Sequence, residues 1–140
     1  VKWFAPILSF TTEEIFTLIN KDKKSIHLEQ FIKFPDSFQD EELHKRWIEL
    51  KKIRDICNIS IEAKRVSKEI GSSLEANLII NLNKDLYEIS KDIDFSELCI
   101  TSSAIVKKSN TEEVTAETIK AEGNKCPVCW KINKEKCVRH

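Results

Sequence analysis

Methionine is absent from all 140 residues, and no apolar run approaches the length of a membrane span. A helical span needs about 20 mostly apolar residues, and a secretory signal needs a basic and an apolar segment that this sequence lacks. Without methionine Val1 is not a natural translation start, so we expect the chain to be part of a longer protein. The odd number of cysteines, five, argues against a disulfide framework and predicts a reducing, cytoplasmic environment.

Net charge is also absent, because 23 basic side chains balance 23 acidic ones. With 41% hydrophobic and 33% charged residues, the composition indicates one globular domain, with or without small attachments, and excludes a disordered or fibrous chain. A chain of this length buries roughly two-thirds of its unfolded surface, which is enough for a core without disulfides or bound metal. The balance is uneven, however, since residues 121–140 hold five basic side chains and two acidic ones.

The first part of the chain predicts a helix over residues 12–20. Thr11 can cap this helix and Glu14 can bond back to it, which is the capping-box pattern. Phe10, before the cap, can pack on Ile15 as a hydrophobic staple. Local sequence therefore indicates a helix-kink-helix element of a bundle, with no catalytic group in it.

A second, much longer helix is predicted from Asp40, about 28 residues long and ended by Gly71. The stripe that follows steps of three and four contains Leu43, Trp47, Leu50, Arg54, Cys57 and Ile61. Cys57 reads as a small core residue. Arg54 needs a partner on such a face, and we expect a carboxylate of the chain rather than a phosphate from outside.

After Gly71 the hydrophobic period changes from 3.6 to 2. One strand is predicted over residues 74–82, a short helix over about 84–92, and a second strand over 98–106. The helix is long enough for a parallel crossover, and a third strand can follow over 114–119. The fold class is therefore α+β, with one long helix, a small sheet and a short helix, and Cys99 in the second strand reads as structural.

The final sixteen residues, KCPVCWKINKEKCVRH, concentrate potential metal ligands. The pattern C-x2-C-x7-C-x2-H contains Cys126, Cys129, Cys137 and His140. Two tight turns, each with two ligands, can supply the four corners of a tetrahedral zinc site. A redox pair, an iron–sulfur role or inherited cysteines without metal are the alternatives. Three thiolates and one imidazole would leave no open position, so we expect one structural zinc per chain.

Two other histidines, His27 and His44, have no second ligand nearby and are not expected to bind metal. Basic residues surround the cysteine cluster, and an aromatic ring follows its second cysteine: Lys125, Lys131, Lys134, Lys136, Arg139 and Trp130. Such a set can bind nucleic acid, with cations for phosphates and a flat face for an unpaired base. Equally, the lysines can be merely solvated while the ring covers the metal site.

Several stretches together resemble the C-terminal region of bacterial-type isoleucyl-tRNA synthetases. They are WFAPILSFTTEEIF, KSIHLEQF, SIEAKRVSKEIGSSLEANLII and KCPVCW, in that order along the chain. The resemblance implies four parts: the end of an anticodon-binding helical domain over 1–34, a connecting helix over 35–70, an α/β junction over 71–122 and a zinc-binding tail over 123–140.

The resemblance also implies the function. Such a segment recognises tRNA on the anticodon side, within an enzyme that joins isoleucine to its tRNA using ATP. The family's His-x-Gly-His and Lys-Met-Ser-Lys-Ser signatures are missing here, so no catalytic residue and no ATP site are expected. The implied partners are isoleucine-specific tRNA and the rest of the synthetase chain, with no membrane and no DNA. The alternative is a free-standing zinc module that binds protein; a DNA-binding finger lacks the helix it would need.

Residue by residue, three cysteines match the family's zinc ligands: Cys126, Cys129 and Cys137. Trp130 matches the tryptophan expected to stack near the anticodon. The fourth position departs from the family, because His140 stands where a cysteine is usual, and zinc accepts an imidazole. The loop between the pairs is short, and Val128 occupies a position that is often basic. The fourth ligand is therefore either His140 or a residue beyond it.

Overall fold

A computed structural model describes residues 1–22, 24–137 and 140. The chain divides into two compact units, residues 1–40 and 41–140. Across the described residues, no helix combines the length and the apolar character needed to cross a membrane.

The first unit is a short helical unit with a small core. It contains α1, Ser9–Ile19, and 3₁₀ helices over Lys2–Phe4, Ile26–Leu28 and Asp36–Phe38. The buried apolar side chains are Ala5, Phe16 and Ile26. The Glu13 carboxylate accepts hydrogen bonds from the Ser25 hydroxyl (3.0 Å) and the Ile26 N–H (2.9 Å), which fixes the segment after α1 against the helix.

The predicted capping box of this helix is wrong. α1 begins at Ser9, its N-cap residue Leu8 offers no side-chain cap, and Thr11 lies inside the helix. The chain is already turning before this point, because the N–H groups of Ile7 and Leu8 both donate to the Phe4 carbonyl. Phe10 is 93% exposed, so it does not form the predicted hydrophobic staple with Ile15.

The second unit begins with α2, Glu41–Val66, the predicted long helix. The predicted stop at Gly71 is wrong, because the helix ends at Val66 and Lys68 is already left-handed, with φ of 60°. The other elements follow in the order β1 (Ala76–Leu82), α3 (Lys84–Ser90), α4 (Phe95–Leu98), β2 (Ser103–Lys108), β3 (Thr115–Lys120), β4 (Asn124–Lys125) and β5 (Ile132–Asn133), with a 3₁₀ turn over Ser73–Glu75. The predicted α+β class is confirmed.

The three-stranded sheet has the order β2-β1-β3. β2 runs parallel to β1 and β3 antiparallel, so the predicted parallel crossover and third strand are both confirmed. Ile80 in the central strand faces Val106 on one side and Ala116 on the other. Alternate residues of β1 are buried, as the period of 2 requires, and they join the apolar stripe of α2 in one core: Leu50, Ile53, Cys57, Ile61, Ala76, Leu78, Ile80 and Leu82.

The second strand starts later than predicted. Residues Phe95–Leu98 form the short helix α4, because the Asp94 side chain accepts the Ser96 N–H at 2.8 Å and caps it. Ile100 then takes a left-handed conformation, with φ of 55°, and the Thr101 N–H returns to the Ser96 carbonyl at 2.9 Å. The alternating pattern concealed this cap.

The partner predicted for Arg54 is also wrong. Its Nε donates to the Leu98 carbonyl at 3.1 Å, at the end of α4, where helical carbonyls lack partners within the helix. Cys57 is fully buried, as predicted. A hydrogen bond with the buried Cys99 side chain, together with burial, raises the pKa of Cys57 well above its usual range, so Cys57 stays a neutral thiol.

Candidate metal centre

The C-terminal part of the second unit, residues 124–137 and 140, is a small ribbon with one turn, called the knuckle below. β4 and β5 pair antiparallel, with Lys125 opposite Ile132. Between them, the Cys126 N–H donates to the Lys131 carbonyl at 2.9 Å, and the Trp130 N–H donates to the Cys126 carbonyl at 3.0 Å. These two bonds form the tight turn that brings the first two cysteines to one side.

Gly123 permits this arrangement. Its φ is +132°, a conformation that other residues rarely adopt, and a Cβ there would lie 2.3 Å from the Asn133 carbonyl oxygen. Trp130 at the end of the turn is left-handed too, with φ of 64°. The backbone of the knuckle is therefore bent at both ends of its first ligand pair.

The predicted ligands converge. One donor atom from each of Cys126, Cys129, Cys137 and His140 lies within 4.8 Å of all the others. The Cys129 and Cys137 sulfurs are 3.6 Å apart, and His140 presents Nδ1 at 3.5 Å from the Cys137 sulfur. Zinc–sulfur bonds of about 2.3 Å in a tetrahedron place ligand atoms about 3.8 Å apart. The four side chains can therefore hold one metal ion.

The chemistry of the donors fits this geometry. Backbone N–H groups of Cys129 and Val128 lower the pKa of Cys126 to about 6, so its thiolate, the form that binds metal, is favoured at neutral pH. A hydrogen bond with Cys137 raises the pKa of His140, which favours the imidazolium, so a metal bound to Nδ1 would have to displace a proton. Thiolate and imidazole ligands are those that zinc prefers.

No other group of three or more potential ligands occurs in residues 1–22, 24–137 and 140. His27 and His44 accordingly lie in no such group. The role of Gly123 was not predicted from the sequence. A single glycine after an irregular polar stretch does not indicate that a side chain there would clash with Asn133.

The predicted nucleic-acid residues fall in two different settings. Trp130 is 59% exposed, and the Lys125 ammonium lies 5.7 Å from the centre of its ring. Lys134 and Lys136 are exposed and line a groove of about 430 Å³ beside the metal ligands. Lys131 is instead mostly buried, with its ammonium 2.5 Å from a Glu97 carboxylate oxygen.

Arg139, the remaining predicted residue, lies outside the described part of the chain. Sequence reasoning treated the five cations as one set, because all five are close to the cysteines in sequence. Nothing in the local pattern identified Glu97, which is 34 residues from Lys131.

Comparisons with known proteins agree with these observations. The chain matches the family described as the anticodon-binding domain of tRNA ligase over residues 1–80. It is 84% identical to the isoleucine–tRNA ligase of Pelagibacter ubique over all 140 residues, which are 16% of that protein. It is 35% identical to that of Agrobacterium fabrum over 143 residues, covering 94% of this chain and 15% of the relative.

A third relative, the isoleucine–tRNA ligase of Methylacidiphilum infernorum, is 40% identical over 133 residues, which cover 95% of this chain and 14% of that protein. The chain thus spans about a sixth of the length of these relatives. The resemblance to isoleucyl-tRNA synthetases is confirmed along the whole chain, including the knuckle, whereas the matched domain ends at residue 80. Because this family matches more than half of the chain's length, the chain belongs to the anticodon-binding domain family of tRNA ligases.

Proposed function

We propose that this chain is the tRNA-recognition, anticodon-side portion of an isoleucine–tRNA ligase that joins isoleucine to its tRNA using ATP in the cytoplasm. The observation that carries the proposal is the 84% identity to a ligase over the whole chain, within 16% of that ligase. The ATP chemistry belongs to the remaining part of such an enzyme, since neither ATP-site signature occurs here. The partners are isoleucine-specific tRNA and the rest of the ligase, and not DNA.

The four-part division predicted from the sequence is part of this proposal. The first part, residues 1–34, is the end of the anticodon-binding helical domain, and residues 35–70 are the connecting helix. Residues 71–122 form the α/β junction, and residues 123–140 form the zinc-binding tail. The first unit supports a partner within the ligase, because it has a three-residue core and leaves a largely apolar groove of about 490 Å³ uncovered. The groove is lined by Val1, Lys2, Trp3, Phe4, Phe16, Ile19, Asn20 and Ile32.

We further propose that the metal is zinc, one per chain, held by the three cysteines and by Nδ1 of His140. Four protein ligands leave no position for water or substrate, so zinc cross-links the two ligand turns and performs no chemistry. The knuckle has little apolar area of its own, and apparent zinc-binding energies of roughly 10–16 kcal/mol are available to fold it.

Trp130 and the exposed lysines of the knuckle are the proposed tRNA contacts. The exposed indole offers a flat face to an unpaired base, an interaction of about 1–3 kcal/mol per base. Lys125, Lys134 and Lys136 offer charges to the phosphates around it, although Lys134 also forms an exposed pair with Glu122 at 3.4 Å. Arg139 and Lys131 stay predicted contacts from the sequence, Arg139 because it is not described and Lys131 because its ammonium already pairs with Glu97.

The test is Trp130→Ala in the full-length ligase. We expect the KM for tRNA to rise about tenfold, as a lost base stack of 1–3 kcal/mol implies, with isoleucine-dependent pyrophosphate exchange unchanged. Trp130→Phe is the matched control, because it keeps an aromatic face and should restore most of the affinity. Equal losses in charging and exchange, or no loss in either, would reject the anticodon-side role. A reading frame without a catalytic domain upstream would favour a free-standing zinc module instead.

A further inference from the structure

One buried serine joins the knuckle to the rest of the second unit, residues 41–123, called the sheet layer (or α/β layer) below. The Ser102 hydroxyl donates to the Leu74 carbonyl at 2.5 Å and accepts the Ile132 N–H at 2.6 Å. The Ser102 N–H donates to the Ala76 carbonyl at 2.9 Å. Ser102 is only 8% exposed, so these bonds are shielded from water. A single side chain thus connects the 3₁₀ turn before β1 to the first residue of β5.

The neighbouring residue of the knuckle makes a second connection. The Lys131 ammonium lies 2.5 Å from a Glu97 carboxylate oxygen and 3.2 Å from the Ser96 hydroxyl, both on α4. The Lys131 side chain is only 14% exposed, unlike the exposed lysines of the same knuckle. A charge so little exposed is tolerated because it is paired and hydrogen-bonded.

These polar bonds carry much of the attachment. Among the described residues, the buried apolar core of the second unit takes no member from the knuckle. A metal ion would fix the four ligands relative to one another, but it touches neither α4 nor β1. The orientation of the knuckle on the sheet therefore depends on residues other than the ligands.

We propose that Ser102 and Lys131 are positioning residues, which form a latch that sets the orientation of the knuckle and hence of Trp130 on the α/β layer. Residues 131 and 132 follow Trp130 directly, and the Lys131 carbonyl also holds the Cys126 N–H. The direction of the indole is thus tied to the latch through one peptide unit. The RNA consequence of this latch rests on the proposed function, whereas the latch itself does not.

The latch is tested in the zinc-loaded full-length ligase with Ser102→Ala and Lys131→Met. Hydrogen exchange, measured by mass spectrometry without tRNA, should become about tenfold faster at the Ile132 amide. Ser102→Ala removes the acceptor of that amide, and Lys131→Met removes the adjacent pair with Glu97 that holds the same segment against α4. Zinc per chain should stay at the wild-type value. In Ser102→Ala, which removes no proposed tRNA contact, the KM for tRNA should rise several-fold with pyrophosphate exchange unchanged. In Lys131→Met, the faster hydrogen exchange at Ile132 should be reversed by Lys131→Arg, which keeps the charge.

Matched controls are available one residue away and on an exposed pair. Ser103→Ala removes an exposed hydroxyl beside Ser102, and Lys91→Met breaks the exposed Lys91–Glu88 pair on the same layer. Neither variant should change hydrogen exchange at Ile132 or the KM for tRNA. Unchanged hydrogen exchange at Ile132, or loss of zinc in the variants, would overturn the latch. Faster hydrogen exchange at Ile132 with an unchanged KM for tRNA would overturn its consequence for tRNA binding. The hydrogen-exchange measurement contains no tRNA, so it tests the latch independently of the anticodon-side role. Trp130→Ala tests that role separately.

Discussion

The sheet layer and the knuckle lie in one unit of the same chain, yet they are stabilised in different ways. The sheet layer buries large apolar side chains almost completely, including Leu50, Leu78, Ile80 and Phe95. Fully burying each such side chain contributes about 1.5–3 kcal/mol. The knuckle has two strands of two residues each, and Cys126 is its one buried apolar residue among those described. Apolar burial suffices for one region, whereas the other has little of it and four side chains that can hold a metal ion.

Metal removal should separate the two regions most strongly. A chelator, or Cys126→Ser, should unfold the knuckle, because we propose that zinc orders it and apparent zinc-binding energies are roughly 10–16 kcal/mol. Hydrogen exchange should become fast at Cys126 and Ile132 and stay slow in β1. Readdition of zinc should restore protection in the chelated protein.

One result of metal removal would contradict this difference between the two regions. If the chelated protein loses protection in β1 as completely as in the knuckle, the sheet layer does not fold independently of the metal. Cys57→Ser is not a suitable control, since it introduces a hydroxyl into the core. Cys126→Ser and Cys137→Ser should instead agree with each other, because each removes one ligand of the same ion.

The sheet layer was the more predictable region, and the reason is periodicity. Steps of three and four located α2, and alternation located β1, because both patterns follow from burying one face of a regular element. The ligand set of the knuckle was predictable for a different reason: metal geometry restricts ligand spacing.

Contacts distant in sequence were not predictable. The Arg54 to Leu98 bond, the Lys131 to Glu97 pair and the Ser102 bridge each join residues that are about 30 to 44 apart. Only the tertiary fold brings such partners together. The start of β2 was misplaced for a local reason, because Leu98, Ile100 and Ser102 fit an alternating pattern although α4 ends at Leu98 and β2 begins at Ser103.

Core truncation should affect the sheet layer alone. Ile80→Ala should lower the free energy of unfolding by about 2–5 kcal/mol, since it leaves a cavity at a fully buried position of the central strand. Ile105→Ala is the matched control on the adjacent strand, where the side chain is 56% exposed, and should cost less than about 1 kcal/mol. Urea denaturation of both variants checks the difference. Equal destabilisation would show that Ile80 is not in a close-packed core.

The smallest expected effect tests the knuckle backbone through the two glycines of the chain. Gly123→Ala places a Cβ against Asn133 at a φ of +132°, so we expect a cost of about 1–3 kcal/mol, seen as a 5- to 150-fold loss of zinc affinity in competition with a chelator. Gly71→Ala places its Cβ 3.5 Å from the Glu75 carboxylate, an ordinary contact at a φ open to alanine, and should leave zinc affinity unchanged. The unfolding of the sheet layer should be the same in the Gly123 variant and the wild type. If Gly123→Ala instead weakens the sheet layer and spares zinc affinity, the bend before β4 supports the core rather than the metal site.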